Sequence, residues 1–209
     1  MDEQMEAVAF VGDALAPFFL EDPETGGAAA SFEAFASLDV EAAAREWPLG
    51  GAAGLGRGLA DMVGGLAEGV TDGLVWEFRR LFVGPGHKAA PPWGSVYTDY
   101  DGVIFGRSAL ELGAWMRRSG IARLADDGEP EDHLGLLLAQ MAWIARERPE
   151  LLREFLRLHL LTWSSHYLDK LEDEARHPFY RGLAVVTRES LEGVKSELGI
   201  EVDYPRFFR

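Results

Sequence analysis

Residues 130–145 read PEDHLGLLLAQMAWIA, and this stretch decides the fold class. Leu134, Leu137, Leu138, Met141, Ile144 and Ala145 recur at steps of three and four, the spacing that gathers side chains on one face of an α-helix. Pro130 fits the first turn of such a helix, where the backbone N–H is unpaired in any case. A stripe this regular is buried against neighbours, so more helices are expected around it.

They are found on both sides. Upstream, Ser108-Ala109-Leu110-Glu111 has the pattern of a capping box and opens a helix with Leu112, Trp115 and Met116 that ends at Gly120. Thr71 or Asp72 caps another that runs to about Val83, where Gly84-Pro85-Gly86 stops it. Downstream, Pro149 opens a helix with Leu151, Leu152, Phe155 and Leu156, and Ser164 or Ser165 opens the next. Pro178 starts the last, with Phe179, Leu183, Val186, Leu191 and Val194, which closes near Gly199. Residues 200–209 read as an extended tail lying on the body through Tyr204, Phe207 and Phe208.

The N-terminal third is less regular. Met5, Val8, Phe10, Val11, Leu15, Phe18 and Phe19 trace a helical stripe over residues 3–20, broken at 22–27, and Phe32, Phe35 and Leu38 suggest a short second helix. Residues 50–69, GGAAGLGRGLADMVGGLAEG, are either a helix packed closely on its neighbours or partly a loop, since glycine costs about 1 kcal/mol per helical position relative to alanine. Strand signals are confined to Ser95–Tyr100 and Val103–Phe105, each a short extended piece, with no βαβ alternation and no repeat. The expected architecture is all-α: one multi-helix bundle over residues 1–209 with antiparallel neighbours. Residues 84–98 form its one long irregular connection, of the kind that often carries function.

Composition narrows the chemistry. The chain has 209 residues and no cysteine, which excludes disulfides, thiolate metal sites and a cysteine nucleophile. The N-terminus is acidic where a secretory leader would be basic, and no apolar run approaches the ~18 residues of a spanning helix, so a cytoplasmic protein without stable membrane insertion is expected. The net charge is −15, with 14 acidic and two basic side chains in residues 1–75. That surface repels nucleic acid and anionic lipid and attracts a cationic peptide.

Catalytic patterns are weak. Asp132 and His133 are sequence neighbours, which do not face each other on a helix, so they make a poor dyad; Glu129 and His133 are four apart and pair if the helix includes both. No HExxH or EF-hand spacing exists, and Gly51-x-x-x-x-Gly56 is followed by Arg57-Gly58 where a phosphate loop needs Lys and Ser or Thr. No catalytic residue, metal or cofactor is therefore assigned. A peptide groove is better supplied. Trp76, Leu81, Phe82, Pro91, Pro92, Trp93 and Tyr97 offer apolar lining, and Glu129, Glu131 or Asp132 offers a carboxylate for an arginine.

Several blocks in order, EFRRLFVGP at 77–85, APPWGSVYTD at 90–99, Phe105-Gly106, Trp115-Met116-Arg117, EPEDH at 129–133, Ala142-Trp143 and HPFYR at 177–181, resemble the DmsD/TorD family, its DmsD branch in particular. The resemblance covers roughly residues 76–209, with residues 1–70 matching poorly. It implies an all-helical, non-enzymatic chaperone of the cytoplasm that binds the twin-arginine signal peptide of a molybdenum-containing reductase of the DMSO-reductase type before Tat export. Components of the Tat translocase are a further partner. It carries the binding role to Leu81, Phe82, Pro91, Pro92, Trp93, Ser95, Asp132 and His133, with Trp76, Tyr97 and Glu129 as neighbours. The rival reading is a small hydrolase or nucleotide-binding enzyme using His133 with Asp132 or Glu129.

Overall fold

The computed structural model describes residues 2–25, 27–83, 88–122 and 128–209. Among these the regular structure is helical: α1 Glu3–Leu15, α2 Pro17–Leu20, α3 Ala29–Ala36, α4 Val40–Glu46, α5 Ala52–Gly65, α6 Asp72–Phe82, α7 Ser95–Thr98, α8 Arg107–Ser119, α9 Leu134–Glu147, α10 Pro149–Phe155, α11 Ser164–Glu174 and α12 Pro178–Glu197. A π-helical turn, Leu156–Leu160, continues α10.

The apolar stripe of α9 is buried as its period requires, with Leu134, Leu137, Leu138, Met141 and Ile144 all fully enclosed. It packs on α1, while α12 packs on α5 and α11. Phe18 bridges the two groups: its ring meets Phe32, Phe35 and Phe179 edge-on at 4.9–5.1 Å between centroids. Such aromatic pairs add about 0.5–1.5 kcal/mol beyond the area they bury.

The glycine-rich segment is a helix because it lies against another glycine. A Cβ on Gly182 of α12 would sit 2.4 Å from the Gly58 carbonyl oxygen of α5, and one on Gly58 would sit 2.8 Å from Val186 Cγ2. Removing side chains at the crossing lets the two backbones touch. The buried Leu55, Leu59 and Met62 of α5 join the core there and offset the intrinsic cost of glycine in a helix.

Helix ends follow the sequence in part. Thr71 Oγ1 accepts from the Leu74 N–H at 3.3 Å and starts α6, and the proline starts of α10 and α12 stand as read. Other expectations are corrected. The Ser108–Glu111 box does not form: α8 begins at Arg107 with Gly106 as its cap, and the Ser108 N–H points at Asp99 Oδ2, 3.4 Å away. Pro130 stands before the helix it was to open, because α9 begins at Leu134 with the His133 side chain as cap. Residues 95–98 form a helical turn and not an extended piece, so the 84–98 connection is not wholly irregular. The region 103–105 holds no strand. Helix α4 was not foreseen. The stop at Gly84-Pro85-Gly86 lies outside the described residues.

Candidate functional site

Two distant segments meet through backbone bonds. Trp93 and His133 form an isolated antiparallel bridge, the Leu134 N–H donates to the Pro92 carbonyl at 2.8 Å, and the Gly94 N–H donates to the Asp132 carbonyl at 3.1 Å. Side chains reinforce the join. The buried Ser95 N–H donates to Asp132 Oδ2 at 2.6 Å, and the Trp93 indole N–H donates to Glu129. Tyr97, fully enclosed, donates its hydroxyl to the Pro91 carbonyl at 2.7 Å. The prolines leave their carbonyls free to accept and limit the loop's alternatives.

Asp132 is the most unusual group of this cluster. It is 3% exposed, and Oδ1 has no hydrogen-bond partner. Burial pushes its carboxyl above the ordinary carboxylate range against the opposing pull of the Ser95 N–H and hydroxyl, and the nearby charge of Asp99 adds a smaller push upward. His133 is engaged elsewhere: its Nδ1 accepts from the Gly135 N–H at 3.1 Å, which leaves the proton of the neutral ring on Nε2. Asp132 and His133 therefore act on different backbone groups and do not form a dyad.

Behind the loop lies a cavity of about 250 Å³, lined by Asp132, Asp99, Glu111 and Asp203 together with Trp163 and Leu158. Such a volume exceeds the roughly 150 Å³ that accommodates benzene in an engineered protein cavity, so a guanidinium with part of its stem fits. Arg107 lies on the same wall, 4.0 Å from Glu111. His159 reaches the cavity from the π-helical turn. Burial holds its pKa down at about 4, with Arg118 adding to the effect, so it is neutral near pH 7. Among the described residues, no group of three or more His, Asp or Glu is arranged to hold a metal ion.

The residues expected from sequence divide by position. Pro91, Pro92, Trp93, Ser95, Tyr97, Glu129, Asp132 and His133 come together at the join. Leu81 and Phe82 lie in the core, Phe82 against Phe78, Tyr180 and Phe19. They reach the join only indirectly, since Phe19 Cβ lies 2.9 Å from where a Cβ on Gly135 would stand. Trp76 is 57% exposed on α6. Asp99, Glu111 and Asp203 were not anticipated; they stand in three different parts of the chain, and no local pattern links them.

Residues 50–169 match the family described as nitrate reductase delta subunit. A relative from Salmonella typhimurium, named Tat proofreading chaperone DmsD, is 36% identical over 99% of this chain and 98% of its own. One from Haemophilus influenzae, named probable Tat proofreading chaperone DmsD, is 40% identical over 69% of this chain and 71% of its own. Among solved structures, a redox-enzyme maturation protein from Archaeoglobus fulgidus superimposes with a TM-score of 0.55 and 20% identity, over 92% of this chain and 95% of the other. That last likeness concerns the fold alone. The Salmonella match takes in the N-terminal third as well, beyond the region whose motifs carry the resemblance.

Proposed function

The chain belongs to the DmsD/TorD family of redox-enzyme maturation chaperones, and from that premise we propose that it binds the twin-arginine leader of a molybdenum-containing reductase in the cytoplasm before Tat export. The leader's arginines enter the carboxylate-lined cavity behind the Pro91–Tyr97 loop. The observation that carries this reading is Asp132, a buried carboxylate with an unpartnered oxygen in a cavity it shares with Asp99, Glu111 and Asp203. An arginine supplies up to five N–H donors and stays charged at any physiological pH. Its arrival would satisfy Oδ1 and lower the cost of keeping Asp132 ionised.

Trp93, held by Glu129 and edge-on to His133 at 5.8 Å, stands beside the cavity, next in sequence to Gly94, which lines it. Pro91, Pro92 and Tyr97 keep it in place, which reduces the ordering that binding would otherwise require. Leu81 and Phe82 contribute from beneath, as packing under the start of α9. Acidic residues elsewhere, 14 of them in residues 1–75, draw the cationic leader in from a distance. The enzymatic alternative is not supported. The family consists of chaperones, and Asp132 and His133 bind separate backbone groups, the Ser95 and Gly135 N–H.

The test is calorimetric titration with the leader peptide of the reductase encoded nearest this gene, beside the same peptide with both arginines changed to glutamine. Micromolar or tighter binding that disappears with the arginines is the expected result. Equal binding of both peptides would remove the carboxylates from the mechanism.

A further inference from the structure

We infer that the apolar stretch of the leader docks on the loop Tyr100–Phe105 and on Phe208 of the C-terminal tail, at the rim of the carboxylate-lined cavity. This rests on the leader-binding reading above and assigns a surface to the half of the ligand that carries no charge.

The loop between α7 and α8 is apolar where loops are ordinarily polar. Tyr100 is 83% exposed, and Val103, Ile104 and Phe105 are each about half exposed. Phe208 and Leu110, exposed as well, extend the set. Single exposed hydrophobics need no explanation, but a run of this kind marks an interaction surface.

The loop is also held in shape. The Tyr100 ring meets Phe208 edge-on at 5.7 Å, and the Phe208 N–H donates to the Tyr97 carbonyl at 2.9 Å. The Gly102 N–H donates to the Asp99 carbonyl at 3.1 Å. Phe105 has φ 61°, the one non-glycine residue with positive φ among the described residues. A bulky side chain in that region is strained. Here the strain holds an aromatic ring half in water, so the fold itself gains little from it. Strain retained at such a place points to a ligand.

Continuity with the cavity identifies the occupant. Asp99 and Arg107 flank the loop and both line the cavity; Asp203 and Pro205 precede Phe208 and line it too. Through Asp99 and Pro205, a ligand whose cations sit among Asp132, Asp99 and Asp203 can lead its next residues over Tyr100–Phe105 or Phe208. A second copy of this chain, at net charge −15, or an anionic lipid surface would be repelled from the same rim. A peptide with arginines followed by apolar residues satisfies both halves.

The test uses the leader peptide of the reductase encoded nearest this gene, a version with its apolar stretch changed to serine, and a version with both arginines changed to glutamine. Phe105→Asn removes the ring while keeping a residue that tolerates the left-handed backbone, and Ile104→Ser is its companion. Each variant should bind the native peptide roughly tenfold more weakly. Against the serine peptide the variants and the parent should bind alike. Amide exchange of residues 100–105 in the unaltered protein should slow on adding the native peptide, a readout independent of any substitution. Native affinity in both variants, or unchanged exchange in the loop of a saturated complex, overturns the docking surface. If the glutamine peptide still loses affinity in that case, the leader reading survives without it. Absence of binding by the native peptide to the unaltered protein removes both.

Discussion

Asp132→Asn should stabilise the free protein and weaken its complex. The substitution keeps the side-chain shape and leaves an oxygen to accept the Ser95 N–H, now 2.6 Å from Oδ2. What it removes is a charge enclosed at 3% exposure with Oδ1 unpartnered. An unsatisfied buried polar group costs about 1–3 kcal/mol, and a charged one more. Recovering about 1 kcal/mol of that would raise the melting temperature by roughly 2–4 °C in a chain of this size. The pH dependence has a definite sign. The folded carboxyl holds its proton above the ordinary value of 3.8, so the native state binds more protons than the unfolded one in that window. Stability then falls as pH rises through it, and the advantage of Asn grows over the same range before levelling off. In the complex the order reverses. Hydrogen bonds to a charged group contribute about 1.5–3 kcal/mol, so losing the carboxylate should weaken leader binding roughly 10- to 150-fold. Thermal melts from pH 4 to 8 and calorimetry with the leader peptide measure the two halves. A variant that melts several degrees lower would show that the Asp132 charge is already compensated in the free protein. Unchanged affinity would take Asp132 out of the site.

Other expectations concern the frame around the site. Glu77 is buried, accepts two bonds from Arg80 at 2.7 and 2.8 Å, and accepts the Arg176 N–H at 2.6 Å, so it ties α6 to the turn before α12. Glu77→Ala should cost roughly 3–5 kcal/mol by leaving Arg80 without that partner, as read by urea unfolding; a loss below about 1 kcal/mol contradicts the tie. Burial raises the Glu77 carboxyl, but Arg80 and the Arg176 N–H outweigh it and hold it low, so this stability is present above the ordinary carboxylate range and is lost as pH falls through the depressed value. Gly182→Ala would place a Cβ 2.4 Å from the Gly58 carbonyl oxygen and should destabilise by about 1–3 kcal/mol; a neutral effect would mean that α5 and α12 separate freely. His159, held down at about 4 from 6.5, refuses a proton that the unfolded chain accepts, so stability should fall between those values as pH drops, by up to roughly 3 kcal/mol. His159→Leu should flatten that part of the melting profile, and an unaltered profile speaks against it. Raising salt from 50 to 500 mM should weaken leader binding without abolishing it, because exposed charges are screened and apolar burial is not; no salt effect at all would dismiss electrostatic steering.

Legibility in the sequence tracks how local each cause is. The α9 stripe, the Thr71 cap and the prolines opening α10 and α12 act within one or two turns, and each stands where the residues put it. Where a distant partner decides, local reading fails. Ser108 and Glu111 have the spacing of a capping box, yet α8 starts one residue before Ser108, with Asp99 near the Ser108 N–H. Pro130 is well suited to a first turn, but the bridge from Trp93 to His133 and the bond from Leu134 to Pro92 hold the preceding residues out of the helix. The glycines of α5 leave helix and loop both open until Gly182 is set against Gly58. The same distinction divides the site. Its recognisable half, Pro91 to Tyr97 with Glu129 to His133, consists of short contiguous blocks. Its cavity half brings Asp99, Glu111 and Asp203 from separate parts of the chain to Asp132, and three such carboxylates scattered among 35 acidic residues carry no mark of their own. Aromatic content misleads in the opposite direction. Leu81 and Phe82 look like groove lining because they are apolar and near the loop, but α6 buries both, Phe82 against Phe19, Phe78 and Tyr180, while the side chains that do face water, Tyr100 and Val103 to Phe105, belong to segments that read as short extended pieces. Which apolar residues a binding surface uses is thus set by which ones the core cannot take, and that is decided only when the helices have packed.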